Sequence, residues 1–106
     1  MTSERDSKIL NLMQFARKAG KLTAGIDACL REMHRKHIHL IVIAADSSER
    51  TTKRVNFEIT ASGAKLPVIS FGSQQELSVP LGLHQTGVFG ISDKNFAAKI
   101  MEYWQA

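Results

Sequence analysis

The residues best able to do chemistry gather early in the chain. In ARKAGKLTAGID, residues 16–27, Arg17, Lys18 and Lys21 surround Gly20, and Gly25 precedes an apolar pattern of helical spacing. A helix opened by glycine presents N–H groups that have no internal partner and carry partial positive charge. Such an end holds phosphate readily. Cations and bare backbone together point to a polyanion. The stretch AGKLT does not make a nucleoside-triphosphate loop. That loop needs an earlier glycine and a hydroxyl directly after its lysine, whereas Leu22 follows Lys21, and Ala16 and Arg17 stand where the first glycine belongs. The dinucleotide pattern G-x-G-x-x-G is absent.

Other reactive groups are weaker candidates. His34, His37 and His39 cluster, but His39 alternates into a strand, and neither cysteine nor carboxylate completes a tetrahedral set. Cys29 lies in an apolar helical stripe and reads as a small core residue rather than a nucleophile. Met13 and Met33 likewise fall at core positions. No Ser-His-Asp grouping or close carboxylate pair has useful spacing. Neither catalysis, nor a metal, nor a cofactor is expected. Asp27 and Arg31 are four apart, so a plain i,i+4 ion pair is the simplest expectation for them. Arg50, Lys53 and Arg54 add cations further on, with Arg50 and Arg54 on one helical face.

The elements that position these residues follow from periodicity. Ile9, Leu12, Met13 and Ala16 predict a helix over 7–18, stopped at Gly20. KLTAG is a loop or brief strand. A second helix runs from Gly25 to about Arg35 on the stripe Ile26, Cys29, Leu30 and Met33. IHLIVIAA, residues 38–45, is continuous and β-branched, as in a strand buried on both faces. Asp46 and Glu49 have the spacing of a capping box before a third helix over 48–62, ended by Gly63. KLPVISF is the next strand, SQQELS a short helix, VPLGLHQ a loop and TGVFGIS another strand. The last helix, 93–104, buries Phe96, Ile100 and Tyr103 or Trp104. Helices alternating with buried strands predict an α/β sandwich with helices on both faces of a mixed or parallel sheet.

Composition narrows the class. A chain of 106 residues with 43% apolar content suits one domain with one sizeable core. No apolar run approaches the roughly 20 residues a membrane span needs. The polar start MTSERDSKIL is not a secretory signal. One cysteine excludes an internal disulfide and suits a reducing cytoplasm. Residues 1–54 carry eleven Lys/Arg against six Asp/Glu, while residues 55–106 carry three against four. Such asymmetry is the footprint of a basic face and a polyanionic partner.

In LNLMQFARKAGKLTAGIDACLR, HLIVIAADSSERTTKRV and GISDKNFAAKI, taken in order, the chain resembles the ribosomal-protein L-seven-Ae/L-thirty-e family, and most of all its short bacterial members. The resemblance implies a three-layer α/β/α sandwich around a mixed sheet, and binding of kink-turn RNA. The family motif G-x-N-E-x-x-K falls on Gly25 to Arg31. Gly25 is retained and Arg31 replaces the lysine, but Asp27 stands at the asparagine and Ala28 at the glutamate. These two positions read sheared G·A pairs in the family. Asp27 accepts hydrogen bonds but lacks an amide donor, and Ala28 does neither. LGLHQ resembles the loop whose apolar residue packs on bases, which makes Leu83 that residue, beside His84 and Gln85. The expected RNA face comprises Lys18, Lys21, Gly25, Asp27, Arg31, Arg50, Lys53 and Leu83. The expected partner is a structured RNA, ribosomal or an mRNA leader, bound by a cytoplasmic monomer in contact with the ribosome. A protein-interaction module on the same fold is the alternative.

Overall fold

The computed structural model describes residues 3–106. Elements follow in the order α1 (Glu4–Lys18), β1 (Leu22–Ala24), α2 (Ile26–His34), β2 (Leu40–Ile43), α3 (Glu49–Ser62), β3 (Val68–Ser70), α4 (Gln74–Leu81), β4 (Val88–Ile91) and α5 (Lys94–Gln105). The sheet order is β1-β4-β2-β3. β4 runs antiparallel to both β1 and β2, and β2 runs parallel to β3. Three strands therefore point towards one end of the sheet and β4 points away from it.

Strand alternation sorts the apolar side chains into two cores. Leu40, Val42, Phe89 and Ile91 face α1, α4 and α5, where they meet Ile9, Met13, Leu77 and Ile100. Ile41, Ile43 and Val88 face Cys29, Leu30 and Met33 of α2 and Val55 of α3. Both faces of β2 and β4 are buried, which accounts for their unbroken apolar sequence. The result is an α/β/α sandwich around a mixed sheet. No helix of the described residues is long and apolar enough to cross a membrane.

Four helices begin on a side-chain cap, from Ser3, Ser48, Ser73 and Asp93. Each oxygen takes up an N–H that the helix cannot satisfy itself. Three expectations need correction here. The first helix begins at Glu4 rather than Ser7, because Ser3 accepts from the Asp6 N–H. The capping box expected at Asp46 and Glu49 is absent. Ser48 caps α3 instead, and Asp46 accepts from Gln74 N at 2.9 Å. The box occurs in α4, between Ser73 and Glu76. Finally, Val79 to Leu81 are helical rather than loop. Pro80 lacks an N–H to give back along the helix, but it stands in the last turn, where Gly82 closes α4 in the left-handed region. Buried Ser78 anchors the segment, donating to Thr86 O at 3.1 Å and accepting from Thr86 N at 2.9 Å.

Candidate nucleic-acid interface

The end of the sheet towards which β1, β2 and β3 point is stitched together by backbone. Gly25 N donates to Val88 O at 2.9 Å, Ala44 N to Gly87 O at 2.8 Å and Ala45 N to Gly72 O at 2.7 Å. Ser47 Oγ adds a bond to Gly87 O at 3.2 Å. α2, α3 and α4 all start at this end, so their positive dipole ends converge. Between them lies a shallow cleft of about 340 Å³ that includes Gly25, Ser47, Ser48, Thr51, Gln74 and Gln85. Its lining is neutral and rich in amides and hydroxyls, which both donate and accept.

α2 differs from the other helices at its start. Gly25 is its N-cap, at φ 95 and ψ 144, and no side chain caps it. A Cβ at Gly25 would meet nothing within 4 Å. Glycine is required by the backbone conformation rather than by lack of space. The first N–H groups of α2 are left to face the cleft rim without a side-chain oxygen of their own.

Cations flank this rim. Arg31 and Arg50 are exposed and make no ion pair among the described residues. Lys53 pairs with Glu49 at 2.9 Å, and Arg54 reaches across from α3 to Asp27 at 2.9 Å. The pair expected between Asp27 and Arg31 is thus replaced by one between helices. Both observed pairs are solvent-exposed, a class worth about 0–1 kcal/mol. Their cations can be given up to a phosphate at little cost. His34 Nε2 to Glu58 at 3.1 Å ties the same two helices again, about two turns further along α2 and one along α3.

The structure gathers some of the expected site residues and separates others. Gly25, Asp27, Arg31, Arg50 and Lys53 share the cleft end or the adjoining faces of α2 and α3. Leu83 is half-buried against the α1/α4/α5 core, and Gln85 and Thr86 line the cleft in its place. Lys18 borders a groove between α1 and α4 with Phe15 and Leu81. Lys21 lies at the opposite end of the sheet, since its carbonyl accepts from Ser92 N, beyond the last residue of β4. Across β1 that is about 13 Å from Gly25, at about 3.3 Å per residue. The lining residues Ser47, Thr51 and Gln74 escaped sequence reasoning because single hydroxyls and amides in turns carry no pattern. The usable signal was topological: ligands of α/β sheets gather beyond the carboxyl ends of parallel strands.

The remaining reactive groups have structural roles. Cys29 is buried, and burial pushes its thiol up to about 12. Its Sγ lies 3.4 Å from Thr23 O. His37 contacts Glu32 at 3.1 Å. Among the described residues no three of His, Cys, Asp and Glu come together as a metal-holding group.

Comparison with known proteins bears on family and fold. Residues 7–101 match the model of the "Ribosomal protein L7Ae/L30e/S12e/Gadd45 family". The chain is 30% identical over 102 residues to the "RNA-binding protein YlxQ" of Enterococcus faecium, covering 96% of each chain. Among solved structures, a Bacillus halodurans protein of unknown function superposes with a TM-score of 0.85 at 23% identity, over 93% of this chain and 98% of that one. A Giardia lamblia 15.5kD RNA binding protein superposes with a TM-score of 0.79 at 21% identity, over 96% of this chain and 88% of that one. At these identities the two structures speak for the fold alone.

Proposed function

The chain belongs to the ribosomal protein L7Ae/L30e/S12e/Gadd45 family, and from that premise we propose that it is a non-catalytic RNA-binding protein whose target is a kink-turn or a similarly bent RNA. The observation that carries this reading is the uncapped start of α2 at Gly25, opening onto a neutral polar cleft, with the unpaired cations Arg31 and Arg50 on two of the helices that start there. Backbone N–H groups and cations suit phosphates, and the amides and hydroxyls suit exposed base edges. Structured RNA is read where bases are splayed out of the helix, because the A-form major groove is too narrow for side chains.

On this reading Arg31, Arg50 and Lys53 hold phosphate, Gly25 and Asp27 approach the backbone or bases, and Leu83 buttresses the loop that carries Gln85. The chain acts as one RNA-binding unit, a cytoplasmic monomer whose RNA is ribosomal or an mRNA leader. Asp27 and Ala28 favour a second reading. A fold that has lost its base-reading amide and carboxylate can serve as a protein-interaction module.

Titration of a kink-turn RNA with two charge reversals tests the proposal. Arg31→Glu should weaken binding roughly tenfold, because it removes a phosphate partner and adds repulsion. Lys99→Glu, on α5 and paired with Glu102 at 3.8 Å, should change it by less than about twofold by the same reasoning. Circular dichroism should show both variants folded. Equal losses would mean that net charge alone attracts the RNA. No binding by the parent would leave the interaction module standing.

A further inference from the structure

Lys21 does not belong to the cleft, and the company it keeps at the other end of the sheet forms a surface of its own. Three separate connections meet there. The α1–β1 turn brings Lys21, the α2–β2 turn brings Lys36, His37 and His39, and the α3–β3 turn brings Lys65. Two shallow depressions of about 450 and 400 Å³ hold these residues, and they share Lys36 and His39. Lys21, Lys36 and Lys65 are exposed, and none has an ion-pair partner among the described residues. Among the described residues the only carboxylate lining either depression is Glu32, and it is occupied by His37 at 3.1 Å and Arg35 at 3.7 Å. The surface therefore carries uncompensated positive charge drawn from three places in the chain.

Its backbone geometry is unusual at the centre. Lys36 lies at φ 63, alone among the described non-glycine residues in having positive φ. It ends α2 as glycine commonly does, its N–H bonding Met33 O at 2.9 Å while His37 N bonds Glu32 O at 3.0 Å. α1 ends with the same pair of bonds, Gly20 N to Arg17 O and Lys21 N to Ala16 O, but uses Gly20 for the left-handed position. A lysine accepts steric strain there, and strain tolerated at one position is a pointer to function.

We infer that this end is a second RNA-binding surface, which takes the phosphate backbone of a regular duplex segment through Lys21, Lys36 and Lys65. From His39 to Ala44 the chain spans about 17 Å at about 3.3 Å per residue. That is too far for one lysine to serve both ends. Among the described residues its lining includes no Phe, Tyr or Trp and no uncapped helix start, so it holds backbone without reading sequence. The protein thereby bridges two RNA segments, one at each end of its sheet. This inference does not rest on kink-turn recognition at the cleft.

The test uses a fluorescein-labelled A-form RNA duplex of about 12 base pairs, without bulges, followed by anisotropy at low salt. Three proteins are compared: the parent, the double variant Lys21→Glu/Lys65→Glu, and the control Lys8→Glu/Lys99→Glu with the same change in net charge. The parent and the control should bind alike. Lys21→Glu/Lys65→Glu should lose about tenfold or more in affinity, and the slope of log affinity against log salt should become shallower by about two, one for each phosphate no longer neutralised. Thermal melts confirm that each variant is folded. Where the parent also binds kink-turn RNA, saturation with that RNA should leave duplex binding intact. Displacement of the duplex by kink-turn RNA, equal losses in the two double variants, or no duplex binding at low salt would each overturn the inference. Absence of kink-turn binding by the parent, with duplex binding retained, would overturn only the reading of the cleft.

Discussion

Asp27 sets what the cleft can read. Its carboxylate sits in the first turn of α2, beside Ala28, and is held by Arg54 at 2.9 Å. It is also highly exposed, 80% for the side chain, so the pair is cheap to break. The double change Asp27→Asn with Ala28→Glu restores an amide that both donates and accepts, and adds an acceptor beside it. It leaves net charge unchanged, and the new carboxylate sits in the first turn, where the helix dipole favours it. Binding to a kink-turn with intact G·A pairs should tighten about fivefold or more, while binding to an RNA with those pairs disrupted stays the same, since one good base contact is worth about 1–3 kcal/mol. Equal affinities for both RNAs, no better than the parent's, would show that these positions do not face the bases. The departures at Asp27 and Ala28 were readable from sequence. The partner of Asp27 was not, because Arg54 lies 27 residues further on and spacing along one helix speaks only for Arg31.

Elements whose signals are local came through the sequence well. The stripe Ile26, Cys29, Leu30 and Met33 is α2, the run Ile38 to Ala45 contains β2, and Gly20, Gly25 and Gly63 mark the helix ends they were expected to mark. Failures occurred where a local rule met tertiary demand. Asp46 has capping chemistry and a glutamate three residues on, but its carboxylate is recruited by Gln74 of α4. VPLGLHQ reads as a loop, but Ser78, buried and bonded twice to Thr86, fixes the last turn of α4 around Pro80. The same physics makes α4 a sensitive element. It has only eight residues, too few to persist without packing and caps. Replacing Ser73 by alanine removes the acceptor for Glu76 N at 3.0 Å and should cost about 1 kcal/mol. Urea denaturation should report this as a lower midpoint with an unchanged slope. An unchanged midpoint would mean that Asp46 alone secures the start of α4.

At the scale of the whole molecule, the basic bias of the first 54 residues was legible as a polyanion footprint, but its division was not. Sequence places Lys18 and Lys21 beside Gly25, whereas a strand between them carries Lys21 to the far end of the sheet. Only the extension of residues 22–24 as β1 reveals this, and so short a strand leaves no mark on composition. The two core layers are also unequal. The α1/α4/α5 side buries residues from all three helices, while α3 commits only Val55 fully and leaves Phe57 69% exposed. The thinner layer holds Cys29, and this gives the protein a built-in chemical clock. A thiol pushed to about 12 and shielded between α2 and the sheet is unreactive until that layer opens. With one cysteine in the chain, the rate at which a disulfide reagent releases its chromophore therefore times excursions of α2 from the sheet. RNA seated across α2 and α3 should slow the clock, and Arg54→Ala, which removes the strap to Asp27, should quicken it. A labelling rate as fast as that of a free thiol in the folded protein would show that the layer is already open.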